Sequence, residues 1–295
     1  MSNSSHHNVQ NWILLSLLIL IWGTSYILIK KSLVAFSPVE LASLRISISF
    51  LCALPFAIKA LKIVPRDKYF TILQIGVLGS GAPAFLFALS MTKSGSAVNG
   101  ILNSLSPIWT LIIGYYLFKI HISYTKVMGV ILGFLGALVL VLGKRGENFE
   151  VDLLYSLLPV VATFCYGLST NITKQRLQNQ SPVYTTGLAM SMVGIPAFIL
   201  LFFTNAPAKI SGGDVWLPFM YVATLSIFGT LIAWMLFYRL VQRTDALFGA
   251  SVTYLIPIVA IAWGLFDGEV LSLLQLGGMI LILVGVYFTT KNPTP

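Results

Sequence analysis

Charge is what this chain has least of. Only 9% of its 295 residues are Asp, Glu, Lys or Arg, against about a quarter in soluble domains, so an ordinary soluble fold is excluded. The shortage is sharpest among the acids, which are Glu40, Asp67, Glu147, Glu150, Asp152, Asp214, Asp245, Asp267 and Glu269. None falls in the middle third of an apolar run, so a carboxylate at midplane depth that trades a proton for a cationic substrate is missing. Cysteine is as scarce: Cys52 and Cys165 are isolated, leaving no disulfide framework and no metal-ligand spacing. His6 and His7 lie in the amino-terminal tail and His121 in a short connection, so no histidine relay is drawn. A nucleophile with its base, a carboxylate pair and a phosphate-binding glycine loop are all missing as well. These absences argue against an intramembrane enzyme, against direct use of ATP, and against a resident metal or cofactor.

What is abundant is apolar. Hydrophobic residues make up 57% of the chain and aromatics 13%, and the mean hydropathy is +0.89. Runs of roughly 17–25 apolar residues are long enough to cross a bilayer as helices. Ten occur, at about 11–29, 40–58, 70–90, 96–118, 124–142, 151–171, 183–204, 215–237, 246–266 and 272–289. The expected fold is therefore an all-α polytopic membrane protein with ten transmembrane helices. The first run lacks a basic leader and exceeds a signal-peptide core, so it reads as a retained span. Connections are short, with no room for a soluble domain or a nucleic-acid-binding module, and the net charge of +9 concerns lipid and orientation. On one side of the ten runs lie Lys59, Lys62, Arg66, Lys68, Lys119, Lys126, Lys174, Arg176, Arg239, Arg243 and Lys291; on the other lie Lys30, Lys31, Lys93, Lys144, Arg145 and Lys209. The eleven-to-six bias places both termini in the cytoplasm by the positive-inside rule.

The chain also repeats itself. Trp22-Gly23-Thr24-Ser25 through Lys30 to Ser37-Pro38 is echoed by Tyr166-Gly167-Leu168-Ser169 through Lys174 to Ser181-Pro182, at a constant spacing of 144 residues. Asn99 to Pro107 with Gly114 returns as Gly249 to Pro257 with Gly264, at a spacing of 150. Five spans per copy is an odd number, so the second copy is expected upside down relative to the first. The expected domains are a first five-helix repeat at 11–143 and an inverted second at 151–290, with short polar tails at 1–10 and 291–295. Inverted repeats are a transporter architecture, with the substrate site at their interface near the midplane.

The order of these motifs resembles a known family. Trp22-Gly23-Thr24-Ser25-Tyr26 with Lys30, Ser37-Pro38, Arg45 in the second run, the proline-containing fourth and ninth runs, and Gly268-Glu269 before the tenth together resemble the drug/metabolite transporter superfamily. The match is nearest to its ten-helix EamA-type branch and covers about residues 11–290. The resemblance implies a secondary carrier of small metabolites, often an exporter of amino acids or related neutral or zwitterionic compounds; the alternatives are a multidrug or other metabolite carrier, or a non-transport membrane protein such as an intramembrane enzyme or a sensor. It also implies a bacterial inner-membrane location, with a small-molecule substrate and the lipid bilayer as partners, as a monomer or homodimer. One departure is plain: where the second half has Gly268-Glu269, the first has Phe118-Lys119.

Within this frame the fourth and ninth runs are the candidate site-bearing spans, because they carry polar residues that lipid-facing helices avoid. Ser96, Asn99, Gly100, Asn103, Ser106, Pro107, Thr110 and Gly114 share one broad stripe at three- and four-residue steps; Gly249, Thr253, Pro257, Ala260 and Gly264 form the corresponding one. Small residues at that spacing also let helices pack closely in lipid. Asn99 and Asn103 differ, since an unpartnered amide in an apolar medium costs several kcal/mol. Pro107 and Pro257 free the carbonyls of Asn103 and Thr253, for substrate or for a neighbouring side chain, and together with Gly100 and Gly249 are the candidate kink or hinge positions. Trp22, Tyr26, Trp234 and Tyr254 are candidate wall residues for an amphipathic cavity. Arg45, about one and a half turns into the second span, can meet a substrate carboxylate, pair with Glu40, or snorkel to the surface. Lys30 and Lys174 close the first and sixth runs, where snorkelling is the simpler role.

Overall fold

The computed structural model describes residues 9–93, 96–142, 152–266 and 272–290; a few side chains inside helices, Tyr26 among them, fall outside the described set. The described chain is helical from end to end. The helices are α1 (Val9–Ser32), α2 (Pro38–Ile63), α3 (Arg66–Ser90), α4 (Ser96–Asn103), α5 (Ser106–Tyr116), α6 (Tyr124–Leu142), α7 (Leu153–Arg176), α8 (Pro182–Leu201), α9 (Ala206–Ser211), α10 (Trp216–Arg243), α11 (Ala246–Ala250), α12 (Val252–Phe266) and α13 (Leu273–Thr290). Seven of them, α1, α2, α3, α6, α8, α10 and α13, are long and apolar enough to cross a membrane.

Local chemistry sets the helix starts. Ser37 and Glu40 form a reciprocal capping box in front of α2, with Pro38 in the first turn, where its missing N–H costs nothing. Asp152 accepts from the amides of Leu154 and Tyr155 at 3.0 and 3.2 Å to open α7, and Asp245 accepts from Phe248 at 2.7 Å to open α11. Ser272 and Gln275 cap α13 in the same reciprocal way as α2.

The fourth and ninth runs, expected as continuous kinked spans, are each two helices. α4 ends at Asn103 and α5 begins at Ser106, so Pro107 lies in the first turn of a new helix instead of kinking an old one. A proline ring clashes with the carbonyl four residues back; here that carbonyl, of Asn103, takes the Ser106 hydroxyl at 2.8 Å. The second break falls at Ser251, between α11 and α12, and Pro257 is accommodated inside α12. At this break the Thr253 hydroxyl donates to the Ala250 carbonyl at 2.9 Å. Gly100 and Gly249, expected hinges, also differ: Gly100 faces open space, whereas a methyl on Gly249 would lie 2.5 Å from Val241 Cγ2.

Packing pairs the first half of the chain with the second. The most extensive contacts are α2 with α8 and α6 with α13. The others come as mates: α1 on α12 and α5 on α7, α1 on α10 and α3 on α7, α2 on α10 and α3 on α8. Each pair turns into its mate when the halves are exchanged. The α6–α13 crossing depends on small residues, with Gly129 and Gly136 set against Gly285 and Gly278; a methyl on Gly129 would fall 2.5 Å from the Thr289 nitrogen. Such backbone approach is how helices gain van der Waals contact where water gives no hydrophobic push. Leu20, Ile58, Ile131, Ile195 and Leu283 point outward and are exposed, as a lipid-facing perimeter requires.

Candidate functional site

Between the halves lies a cavity of about 1340 Å³, counting its mouth. Its walls come from α1, α2, α3 and the α4–α5 pair on one side, and from α7, α10 and the α11–α12 pair on the other. It runs from Trp234, Phe237 and Thr110 up to Leu33, Pro38 and Met91, which lie where α1 finishes, α2 starts and α3 finishes. That end of the molecule is the far end; the end where α1 starts is the near end.

The floor is aromatic. Trp22 and Trp234 meet edge to face at 5.8 Å between ring centres, Trp234 and Phe237 at 5.3 Å, and Tyr166 lies 6.2 Å from Trp234 and stacks on Phe87 at 6.1 Å. Trp22 and Tyr166, which occupy the same place in the two sequence repeats, thus approach Trp234 together.

Two π-helical turns shape the walls, Val77–Gly81 in α3 and Ile227–Ile232 in α10. A π turn shifts the backbone bonding by one residue, which makes it a recurrent feature of functional sites. Gly79 and Gly229 sit at their centres, and each faces the serine of the other half's first helix: a methyl there would lie 2.8 Å from Ser169 Oγ and from Ser25 Oγ respectively. The Gly229 carbonyl accepts from Trp22 Nε1 at 3.0 Å and from Arg45 Nη2 at 3.3 Å, while Arg45 Nε donates to Thr230 Oγ1 at 2.6 Å. Held in this way the guanidinium lines the cavity, where low dielectric strengthens its pull on a carboxylate.

Asn103 and Thr253 both line this cavity, as do Trp22, Trp234 and Arg45. Asn99 and Tyr254 do not. Asn99 is 1% exposed, covered by protein, while Asn103 one turn later on α4 reaches the cavity. Tyr254 is fully buried, and its hydroxyl donates to the Val130 carbonyl at 2.9 Å while its ring packs on Gly133; it ties α12 to α6. The Tyr26 side chain lies outside the described residues. Glu40, one of the partners weighed for Arg45, meets Lys209 at 2.7 Å.

A model of the EamA-like transporter family matches residues 10–142 and again 153–291. The chain belongs to the EamA-like transporter family. This places the transporter in the drug/metabolite transporter superfamily. It is 27% identical to an uncharacterized transporter of Archaeoglobus fulgidus, over 96% of this chain and all of that one. It is also 25% identical to a probable amino-acid metabolite efflux pump of Salmonella typhimurium, over 92% of this chain and 91% of that one. An Escherichia coli protein of the same description is 24% identical over 93% of both chains. Among solved structures, one superposes with a TM-score of 0.74 at 17% identity, covering 95% of this chain and 96% of that one, which shows a shared fold.

Sequence reading missed the π turns. Gly79-Ser80 and Gly229-Thr230 stand 150 residues apart, the same spacing as the Asn103–Thr253 block, and a search for that spacing in the third and eighth runs finds them. Ser25, which also lines the transporter's cavity, is marked by its echo Ser169 at the 144-residue spacing, whereas Thr170 and Phe237, on the same lining, carry no such signal on their own.

Proposed function

We propose that the transporter is a ten-span carrier of two inverted five-helix repeats, with both termini cytoplasmic. In this reading it exports small neutral or zwitterionic metabolites, amino acids foremost, by alternating access. One observation carries the reading: a cavity built by both halves reaches one end of the molecule and stops short of the other. The near end bears Lys126, Lys174, Arg239 and Arg243, so the positive-inside rule makes it cytoplasmic and makes this conformation the outward-facing one. The three remaining spans are α7, α4 with α5, and α11 with α12. Broken helices beside a central site are a recurrent device of such carriers, because unwound backbone is tolerated where it lines a cavity. The substrate class follows from the lining. Among the described lining residues Arg45 is the charged one, suited to a carboxylate; Asn103, Thr253 and Thr230 offer neutral hydrogen bonds; and the rings accept an apolar side chain. The two relatives described as probable amino-acid metabolite efflux pumps support the same class. With no carboxylate in that lining, transport is expected to run down the substrate gradient.

The test is counterflow of a panel of radiolabelled amino acids in proteoliposomes, with Asn103→Leu and Thr253→Val as variants. A lost hydrogen bond is worth about 0.5–1.5 kcal/mol, or up to about 3 if charged, so apparent affinity should fall between a few-fold and about a hundredfold at unchanged melting temperature. Normal affinity in both variants would overturn the site.

A further inference from the structure

A second cavity, of about 600 Å³ counting its mouth, opens at the near end. Its walls are the close of α5, the 120–122 connection, the start of α6, the close of α7 and α11. Gln175 and His121, at its rim, are exposed.

The register of three helices shows how the two cavities are related. On α5, Ser106 faces the central cavity, Gly114 faces the second, and Thr110 between them lines both. On α7 the order is Tyr166 and Thr170, then Asn171, Lys174 and Gln175. Around α11 it runs the opposite way along the chain, from Ala246 and Leu247 to Ala250 and Thr253, as an oppositely directed segment must. On all three, lining passes from one cavity to the other within about one helical turn, roughly 5.4 Å. The cavities are therefore stacked end to end, with one turn of protein between them.

That partition is Thr110 against α7. Thr110 is 2% exposed and Asn171 fully buried. The Asn171 amide donates from Nδ2 to the Thr110 and Gly167 carbonyls, both at 2.9 Å. A methyl on Gly167 would lie 2.8 Å from the Thr110 nitrogen, so the two backbones touch. The amide oxygen of Asn171 has no hydrogen-bond partner, an omission that costs stability in a buried place and marks an acceptor waiting for a donor. Beyond the partition the chemistry changes from aromatic to ionic: Lys126 and Asp245 pair at 2.7 Å, and Lys174 donates to the carbonyls of Gln242 and Thr244.

We propose that the second cavity is a second binding station, at the cytoplasmic end, for the same zwitterionic substrate, and that the Thr110–Asn171 partition parts to connect the two. This rests on the carrier reading of the central cavity. The Lys126 and Lys174 ammonium groups suit the substrate carboxylate, and the Asn171 oxygen with the Asp245 carboxylate suits its ammonium. When α5 leaves α7, the amide of Asn171 is released to the passing molecule.

Thiol protection tests the two cavities separately. In a background with Cys52 and Cys165 replaced by alanine, Gln175→Cys reports the second cavity and Ala88→Cys, on the lining of the central one, reports that cavity. The protectants are the neutral proteinogenic amino acids, each at millimolar concentration. An amino acid that slows modification of both cysteines several-fold, with an anionic methanethiosulfonate outpacing a cationic one at Gln175→Cys, is the expected result. Protection of Ala88→Cys alone overturns the second station and leaves the carrier standing; protection of neither overturns both. A milder variant gives an independent reading, since Gly114→Ala sets a methyl 3.1 Å from the Asn171 oxygen in a helix that favours alanine. It should raise the cytoplasmic-side KM about five- to tenfold and leave the opposite-side KM within about twofold; equal effects on both sides overturn the proposal.

Discussion

The two ends of the molecule are joined across the halves in different ways. At the near end Lys126 meets Asp245, Arg243 donates to Asn11 and Gln10, and Asn171 holds Thr110. At the far end Lys209 reaches across to Glu40 and to the Ala35 carbonyl at 3.0 Å, and Lys31 lies over the Tyr221 ring at 5.6 Å. The repeat mates show the same contrast. Lys174 is docked on the carbonyl end of α10, whereas Lys30 is exposed. Lys30 and Lys174 are like residues in unlike surroundings, but other near-end partners have no like mates: Asn171 falls on Ile27 at the 144-residue spacing and Asp245 on Gly95 at the 150-residue spacing, so the asymmetry is written partly in the sequence and partly in which end is shut.

The comparison breaks most readily at the lysine mates. Lys174→Met removes charged bonds to two carbonyls worth about 2–3 kcal/mol together, and should lower the melting temperature by about 4–12 °C. Lys30→Met should leave it within about 0.5 kcal/mol of the parent. Equal shifts in the two variants would mean that the asymmetry is not one of stability.

Asp245→Ala removes both the Lys126 pair and the cap of α11. The pair is partly exposed, with side chains 21% and 25% accessible, so it contributes about 1 kcal/mol or less, and the cap about 1 kcal/mol. A cysteine placed at Thr110 should then react from the near side about thirtyfold faster, given a tenfold change per 1.4 kcal/mol. Lys209→Met acts at the other end, on a bond made in this far-open conformation. Loss of its pair with Glu40, worth about 1 kcal/mol or less, should weaken the far-open state and speed the same reaction by up to about fivefold. An unchanged rate in Lys209→Met would show that this bond is made equally in both states.

How much of this was legible varies with the feature. The paired motifs Trp22-Gly23 and Tyr166-Gly167 could be read because tight packing demands glycine in both copies: Gly23 abuts Val259 and Gly167 abuts Thr110. Polar residues in the fourth and ninth runs could be read because hydrocarbon excludes them. Rotation about those helices could not. Asn99 and Asn103 are one turn apart in sequence, and Thr253 and Tyr254 adjacent, yet one of each lines the cavity and the other is buried. Both members of each pair share one helix, α4 or α12, so the surroundings of each side chain, and not the breaks at Ser104 to Leu105 and at Ser251, decide which one lines the cavity.

The sequence alone determined the all-helical membrane class, the duplication and the family, because apolar length, charge scarcity and repeated glycines are properties of residues and their order. Only the tertiary structure decided which side chains share a cavity and which end is closed. It set the π turns that aim Gly229 at Trp22 and Arg45, the placing of Asn103 and Thr253 on the cavity while Asn99 and Tyr254 are buried, and the near-end bonds between segments more than a hundred residues apart, such as Lys126 and Asp245. Those depend on how ten apolar runs pack against one another, and a run of leucines and valines reads the same whichever neighbour it faces.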